Sequence, residues 1–425
     1  MTSIKNIIFD FDGTLVDTAP LIVATMQAAI RELGLPSKSE QECKSSIGLR
    51  LEDIPMALWP DKPGTGPVYA ATYRRIFEEL KGEIRAESFP GVIDTLRQLH
   101  NDDYRLAIAS SRSHRSLADF VTSFSIAGLF DAVIGGDDVS NGKPAPDPVE
   151  AICGPLGWQT GETLVVGDTN FDIEMGHNAG TLTCAVSYGN QSRTELRASR
   201  PDAVIDSFPA LIPLLKGVSV KAIDYAEQNI ISRYAEFDKA HREDHARMVI
   251  SQSLQIAEKM PQLNRDMVYL TAAFHDLGLI NGRENHHRDS ARILTADPFV
   301  CANFTPEESG LMAEAVEDHR ASNKSKPRND YGLVVAEADR FIDAETIIRR
   351  TIQYGLANYP SLDREGHFRR TLDHLKDKYG PQGYLKIWIP WSDNARRLSG
   401  LHEIIADTDR LKDIFNRIFN EETAQ

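Results

Sequence analysis

Two aspartates, Asp10 and Asp12, close the apolar run "NIIFDFDG", and Gly13 after them lets the chain turn sharply. Residues two apart in a strand share a face, so both carboxylates can aim at one substrate. One can attack phosphorus while the other trades a proton with the leaving group. The phosphoryl charge also has to be neutralised. A hard divalent cation held by Asp10 and Asp168, helped by Lys143 of "NGKPAPDP", would do this. Far downstream, "AAFHDLGLINGRENHH" (272–287) joins His275 to Asp276 and then brings His286 and His287. An imidazole nitrogen beside a carboxylate oxygen suits a borderline divalent metal: Mn²⁺, Fe²⁺, Co²⁺, Ni²⁺ or Zn²⁺. His245 opens the stretch "HARMVISQSLQIA", whose Ile250, Leu254 and Ala257 form an apolar stripe, and Asp339 ends "LVVAEAD". Three helices could therefore carry donors to one point.

The elements that must hold these residues differ between the two halves. In the first half, "NIIFDF" (6–11), "RLAIASS" (105–111), "AVIGG" (132–136), "TLVVGDT" (163–169) and "TCAVSYG" (183–189) are nearly continuously apolar and end in small or polar residues. That is the pattern of a buried parallel sheet, and amphipathic segments lie between the runs. The fold class expected is a doubly wound α/β domain, with its site at the carboxyl ends of the strands, where Asp10, Asp12, Ser110 and Asp168 fall. Residues about 17–88 break the alternation with helical periodicity and read as an inserted helical cap. From about 222 to 425 the texture is all-α, and the stretch 216–220 marks the boundary, giving domains 1–216 and 222–425. The aromatic "LKIWIPW" (385–391) reads as an edge strand or a core segment.

Composition sets the outer limits. The chain of 425 residues has room for two domains, and 41% apolar residues are enough for packed cores. A formal net charge of −15 argues against a nucleic-acid-coating surface, while leaving room for a basic pocket that takes a small anion. Cys43, Cys153, Cys184 and Cys301 are widely spaced, so reduced, buried cysteines are expected. No run approaches the roughly 18 apolar residues of a membrane span, and "MTSIKNIIFDFDG" lacks a signal peptide, so a soluble cytoplasmic protein is expected. His241, His367, His374 and His402 fit no ligand pattern and read as structural or surface residues.

The set "FDFDGTLVD", "LAIASS", "GKPAPDP" and "VVGDTNFDIEMGHNAG", each at a strand end, resembles the haloacid dehalogenase superfamily of phosphohydrolases over residues 4–215. The wording around it looks most like the phosphoglycolate-phosphatase branch, which carries a helical cap between the first two motifs. That resemblance implies Asp10 as the nucleophile that becomes an aspartyl-phosphate. Asp12 would be the general acid/base and lend its carbonyl to Mg²⁺. Ser110 would bind phosphoryl oxygens, Lys143 would orient nucleophile and phosphate, and Asp168 would ligate Mg²⁺ with Asp172 in support. The presence of Asp12 favours phosphate over halide as the group removed. A specificity loop is implied at "SSIGLRLED" (45–53), where Gly48 would let backbone approach the ligand and Arg50 would bind a second anionic group.

The order "H…HD…D" on a helical framework resembles the HD superfamily of metal-dependent phosphohydrolases over about residues 224–345. The ligands implied are His245, His275, Asp276 and Asp339. His319 and His286, the latter preferred to His287, fall where two-metal members have further ligands. Asp276 would bridge the two cations, and metal-activated water would attack phosphorus. The function expected is a bifunctional phosphohydrolase acting on small phosphorylated metabolites or nucleotides. The alternative is a single phosphatase whose HD half is a metal- and nucleotide-binding regulatory module. Nucleic-acid processing by the HD half is disfavoured by the acidic balance and the lack of a basic tract rich in aromatics.

Overall fold

Strands covered on both faces must be apolar along their whole length, and the five runs picked out above are five of the six strands of such a sheet. The computed structural model describes residues 4–237, 242–320, 325–340 and 342–423. By its internal contacts the chain divides into two units, Met1–Glu227 and Gln228–Gln425.

The first unit begins with β1 (Asn6–Phe9), β2 (Val16–Asp17) and four helices, α1 (Ala19–Glu32), α2 (Glu40–Ser45), α3 (Ile54–Leu58) and α4 (Gly66–Leu80). Then come β3 (Glu87–Ser88), α5 (Val92–Asn101), β4 (Arg105–Ala109), α6 (His114–Ser123), β5 (Ala132–Ile134) and α7 (Asp147–Leu156). The unit continues through β6 (Thr163–Gly167), α8 (Asn170–Ala179), β7 (Leu182–Val186), α9 (Arg193–Ala198), β8 (Ala203–Ile205) and α10 (Leu211–Leu215). Six strands form one parallel sheet in the order β5-β4-β1-β6-β7-β8, the arrangement of a doubly wound α/β domain. β1 lies between β4 and β6, so the residues after these three strands meet at one edge. β8, the edge strand on the side away from β5, went unread in the sequence. β2 and β3 pair separately as a two-stranded antiparallel ribbon, and α1–α4 lie between its two legs. Those helices have a core of their own, built on Met26, Ile30, Trp59, Tyr69, Tyr73 and Phe77.

The break between units falls inside α11 (Val220–Asn229), later than the 216–220 boundary read from composition. Packing explains the shift. Ala222, Ile223 and Ala226 are buried, Arg193 pairs with Asp224 at 2.5 Å, and Ser207 donates to Glu227 at 2.9 Å.

The second unit is helical: α12 (Glu243–Glu258), α13 (Arg265–Phe274), α14 (His286–Ala296), α15 (Pro298–Asn303), α16 (Pro306–Asp318) and α17 (Asp330–Asp339) come first. Four more follow, α18 (Ala344–Asn358), α19 (Arg364–Tyr379), α20 (Asp393–Ala406) and α21 (Thr408–Thr423), around a core that includes Ile348, Phe368, Leu401 and Phe415. "LKIWIPW" is not a strand. Among the described residues it has no partner strand, and it runs irregularly, with Leu385 and Ile389 buried in that core and Trp391 exposed. The same segment leans on α17: Ser392 donates to the buried Glu337 carboxylate at 2.5 Å, the Trp388 N–H reaches it at 3.3 Å, and Asn394 donates to the Glu337 carbonyl at 2.7 Å. His367 is buried and His402 bonds the Tyr379 carbonyl at 2.6 Å, both in this helical layer, while His374 packs edge-on to Tyr379. His241 lies outside the described residues. All four cysteines are free; Cys301, expected buried, is exposed within α15, its thiol against the Thr295 carbonyl at 3.3 Å.

Candidate functional sites

At the sheet edge, the backbone of each neighbouring strand fixes the reacting residues. The Asp10 N–H bonds the Val166 carbonyl at 2.8 Å and the Ser110 N–H bonds the Ile134 carbonyl at 3.0 Å, so each residue is the last rung of its ladder. The chain then turns at Gly13, with φ +87, where a Cβ would sit 2.2 Å from an Asp168 carboxylate oxygen. Only glycine lets the loop carrying Asp12 lie against Asp168.

Asp10, Asp168 and Asp172 are all buried and offer oxygens within 4.8 Å of one another. The Lys143 ammonium donates to Asp10 at 2.5 Å and to Asp172 at 2.6 Å. Asp172 sits in the first turn of α8, where its other oxygen accepts from the Thr169 N–H and hydroxyl at 3.0 and 2.7 Å. Asp168 accepts from the Asn190 N–H at 2.6 Å and amide at 2.7 Å. Burial pushes Asp10 up to about 7, against the pull of Lys143. Asp168 is likewise raised, first by burial and then by Asp10 and Asp172. Burial pulls Lys143 down, but Asp10 and Asp172 together hold it above its ordinary value. Three carboxylates against one ammonium leave a surplus of negative charge in a dry place. A hard, oxygen-preferring cation fits that donor set.

Asp12 and Ser110 face a cavity of about 660 Å³, whose far wall is the helical insert, including Ile47, Leu49, Ile54 and Phe77. Asp12 is held by three donors: Thr18 at 2.6 Å, and Arg112 through Nε at 3.2 Å and a terminal nitrogen at 2.5 Å. Gly48 has φ +104, and a Cβ there would meet Phe171 at 3.1 Å; its carbonyl accepts from Ser111 at 2.5 Å. Arg50 does not present itself as read from the sequence. Its two terminal nitrogens donate to the carbonyls of Ser140 and Val139 at 2.9 and 2.7 Å, so in this state it clasps the loop before Lys143.

The second constellation lies wholly among helices, mostly at their ends. His275 and Asp276 follow α13, His319 follows α16, Asp339 closes α17, and His245 and His286 stand in the first turns of α12 and α14. Three rings use the same local device. The Nδ1 of His275, His319 and His286 lies 2.7, 2.5 and 2.8 Å from the carbonyl three residues earlier, that of Ala272, Val316 and Arg283. A carbonyl only accepts, so each Nδ1 carries the hydrogen and each Nε2 turns its lone pair inward. Asp276 divides its oxygens between two groups. Oδ2 lies 3.6 Å from His245 Nε2 and 3.3 Å from His275 Nε2, and His245 in turn lies 3.4 Å from Asp339. Oδ1 lies 3.6 Å from His286 Nε2 and 3.4 Å from His319 Nε2. The residues thus fall into two triads of mixed nitrogen and oxygen, His245–His275–Asp339 and Asp276–His286–His319. Inward-facing imidazole lone pairs beside carboxylates suit borderline divalent cations. His287, next to His286, has its Nδ1 buried without a partner and joins neither triad.

The structure brings together the catalytic, phosphate-binding and metal-ligating residues singled out in each half, while Arg50 lines the cavity with its terminal nitrogens held by backbone carbonyls. It also adds Thr18, Arg112, Thr169 and Asn190, which sequence reading missed. Thr18 and Asn190 lie outside the recognised motifs. Arg112 could have been noticed as the basic residue two places after Ser110.

Comparison with known proteins accords with this division. Residues 7–186 match the family described as haloacid dehalogenase-like hydrolase, and residues 242–343 match the HD domain. A phosphoglycolate phosphatase of Salmonella paratyphi A is 32% identical over 236 residues, covering 51% of this chain and 94% of that protein. The chain belongs to the haloacid dehalogenase-like hydrolases. A pyrophosphatase of Halalkalibacterium halodurans is also 32% identical, covering 52% of the chain and 99% of its own length. A solved structure of a predicted phosphoglycolate phosphatase from Haemophilus somnus is 27% identical, covering 50% of this chain and 99% of that one, with a TM-score of 0.45. The C-terminal half carries an HD domain, and both domain types are metal-dependent. Among the described residues, no helix is long and apolar enough to cross a membrane.

Proposed function

We propose that the chain is a bifunctional phosphohydrolase, with a phosphomonoesterase in the first unit and an HD-type phosphohydrolase in the second. In the first site Asp10 is the nucleophile. Its carboxylate oxygen bonds to phosphorus as the bond to the leaving oxygen breaks, and Asp12 gives that oxygen a proton. In the second step water attacks the aspartyl-phosphate, Asp12 takes the proton back, and Asp10 is restored. Lys143 holds Asp10 and takes up phosphoryl charge, and Ser110 donates to a phosphoryl oxygen. Mg²⁺ on Asp10, Asp168, Asp172 and the Asp12 carbonyl would supply charge neutralisation. The cavity leaves room for a leaving group larger than a two-carbon acid.

The observation that carries the second activity is the completeness of both triads around Asp276. A regulatory module could manage with fewer ligands, whereas a shared carboxylate between two donor sets suits two-metal hydrolysis. Divalent transition metals there would supply Lewis acidity and an activated water. His245, His275 and Asp339 would hold one, His286 and His319 the other, with Asp276 common to both. The substrate class proposed is a nucleotide-like phosphoester, phosphodiester or phosphoanhydride. A panel of phosphate compounds tests this with Asp10→Asn and Asp276→Ala. Cleavage that survives Asp10→Asn and vanishes with Asp276→Ala supports two enzymes. Loss of every activity with Asp10→Asn leaves a single phosphatase with an HD regulatory module.

A further inference from the structure

Arg112 is a guanidinium where burial is expensive. Its side chain is 8% exposed, with Phe120 of α6 on one side at 4.8 Å and Phe77 of α4 at 5.2 Å. Its charge is spent on Asp12. Nε and a terminal nitrogen reach the two different oxygens of that carboxylate, at 3.2 and 2.5 Å, and the other terminal nitrogen is tied to Ser116 at 3.1 Å. A planar fork on a planar carboxylate fixes the carboxylate's rotation as well as its position, which a lysine ammonium does not. Thr18, at 2.6 Å from one oxygen, adds a third point. The aromatic rings come from different parts of the unit: Phe120 from the helix after β4, Phe77 from the inserted helices.

We propose that Arg112 is the positioning residue of the phosphomonoesterase site, setting the plane and reach of Asp12 and making that setting depend on helix α4 through Phe77. This rests on the reading of Asp12 as the group that trades a proton with the leaving oxygen. Proton transfer needs the two heavy atoms within about 2.6–3.2 Å, a condition that a freely rotating carboxylate meets only part of the time. The contribution of Arg112 should therefore scale with how much the leaving oxygen needs the proton. A p-nitrophenolate leaves without one; a phenolate of ordinary basicity leaves far faster with one.

The test is kcat/KM in Mg²⁺ for substituted phenyl phosphates, from p-nitrophenyl to unsubstituted, with the full-length protein. The proteins are wild type, Asp12→Asn, Arg112→Met, Arg112→Lys, and the double variant Asp12→Asn/Arg112→Met. The expected result for Arg112→Met is a loss of about 100-fold on phenyl phosphate and the smallest loss on p-nitrophenyl phosphate, so that dependence on leaving-group basicity steepens. Arg112→Lys recovers part of the loss, and the double variant is no slower than Asp12→Asn. Phe77→Leu, which keeps Arg112 and most of the apolar volume, shows the same steepening in smaller measure and guards against a folding defect in Arg112→Met. An equal loss on every substrate overturns the proposal, as does additivity with Asp12→Asn or a rise in KM with kcat retained. If Asp12→Asn itself shows no leaving-group dependence, the acid/base reading falls first and Arg112 with it.

Discussion

At the carboxyl ends of the strands, three buried carboxylates stand around one ammonium that bonds two of them; among the helices, two carboxylates stand among four imidazoles. The contrast follows from what each scaffold can deliver. Parallel strands end side by side, so short polar residues after β1 and β6 converge without reaching far, and oxygen donors suffice. At the helix ends imidazoles join the carboxylates, and those of His275 and His319 are aimed by parking Nδ1 on a carbonyl of their own turn. The first site offers carboxylate oxygens alone and suits a hard cation. The second mixes imidazole nitrogen with carboxylate oxygen and suits a softer one.

The sharpest way to break this comparison is to remove one shared residue from each site. Asp10→Asn should lower phosphomonoester turnover by roughly 10⁴-fold or more and leave HD-dependent cleavage in place. Asp276→Ala should do the reverse, since both triads lose their common ligand. Steady-state assays of the two variants against the same panel decide it, and parallel loss in both variants would refute independent sites. Metal exchange sharpens the chemical half of the contrast. After chelation, Mg²⁺ alone should restore the Asp276→Ala protein, whereas the Asp10→Asn protein should require Mn²⁺, Fe²⁺, Co²⁺, Ni²⁺ or Zn²⁺. Elemental analysis should find up to two transition-metal ions per chain lost with Asp276→Ala.

Smaller effects test how each donor is aimed. His286→Ala should weaken binding of the second metal about 10–100-fold by metal titration, and His287→Ala should change it less than about twofold. Equal effects would mean that the adjacent ring substitutes freely. The last test is a matter of space. A Cβ on Gly278 would lie 2.1 Å from the His286 carbonyl and 2.5 Å from the Ser290 N–H. Gly278→Ala should cost about 1–3 kcal/mol, read as a drop in Tm of several degrees, and should loosen the His286 site before the His245 site.

Much of this was legible in the chain because buried parallel strands and metal ligands are local signals. "NIIFDFDG" shows a strand, its end and two reacting groups within eight letters. What was not legible depends on distant partners. β8 is only three residues long and gains its meaning from pairing with β7. Arg112 sits in a polar run, "SSRSHRS", that looks like solvated loop until Phe77 and Phe120 are folded against it. The choice between His286 and His287 is a question of helix phase, which two adjacent identical letters cannot express. "LKIWIPW" alternates like a strand, yet among the described residues there is no neighbouring strand for it to join.

One buried carboxylate bears on how this protein can be cut. Glu337 and Asp339 lie two residues apart on α17, one turned to the segment around Ser392, the other to His245. The match to the HD domain ends at residue 343, before Trp388, Ser392 and Asn394. A fragment trimmed to that limit would leave Glu337 without these partners, each lost bond costing about 1–3 kcal/mol on the helix that carries a proposed metal ligand. For expression or transplantation of this half, the working unit is the helical set through α21, and the last eighty or so residues travel with the site rather than trailing behind it.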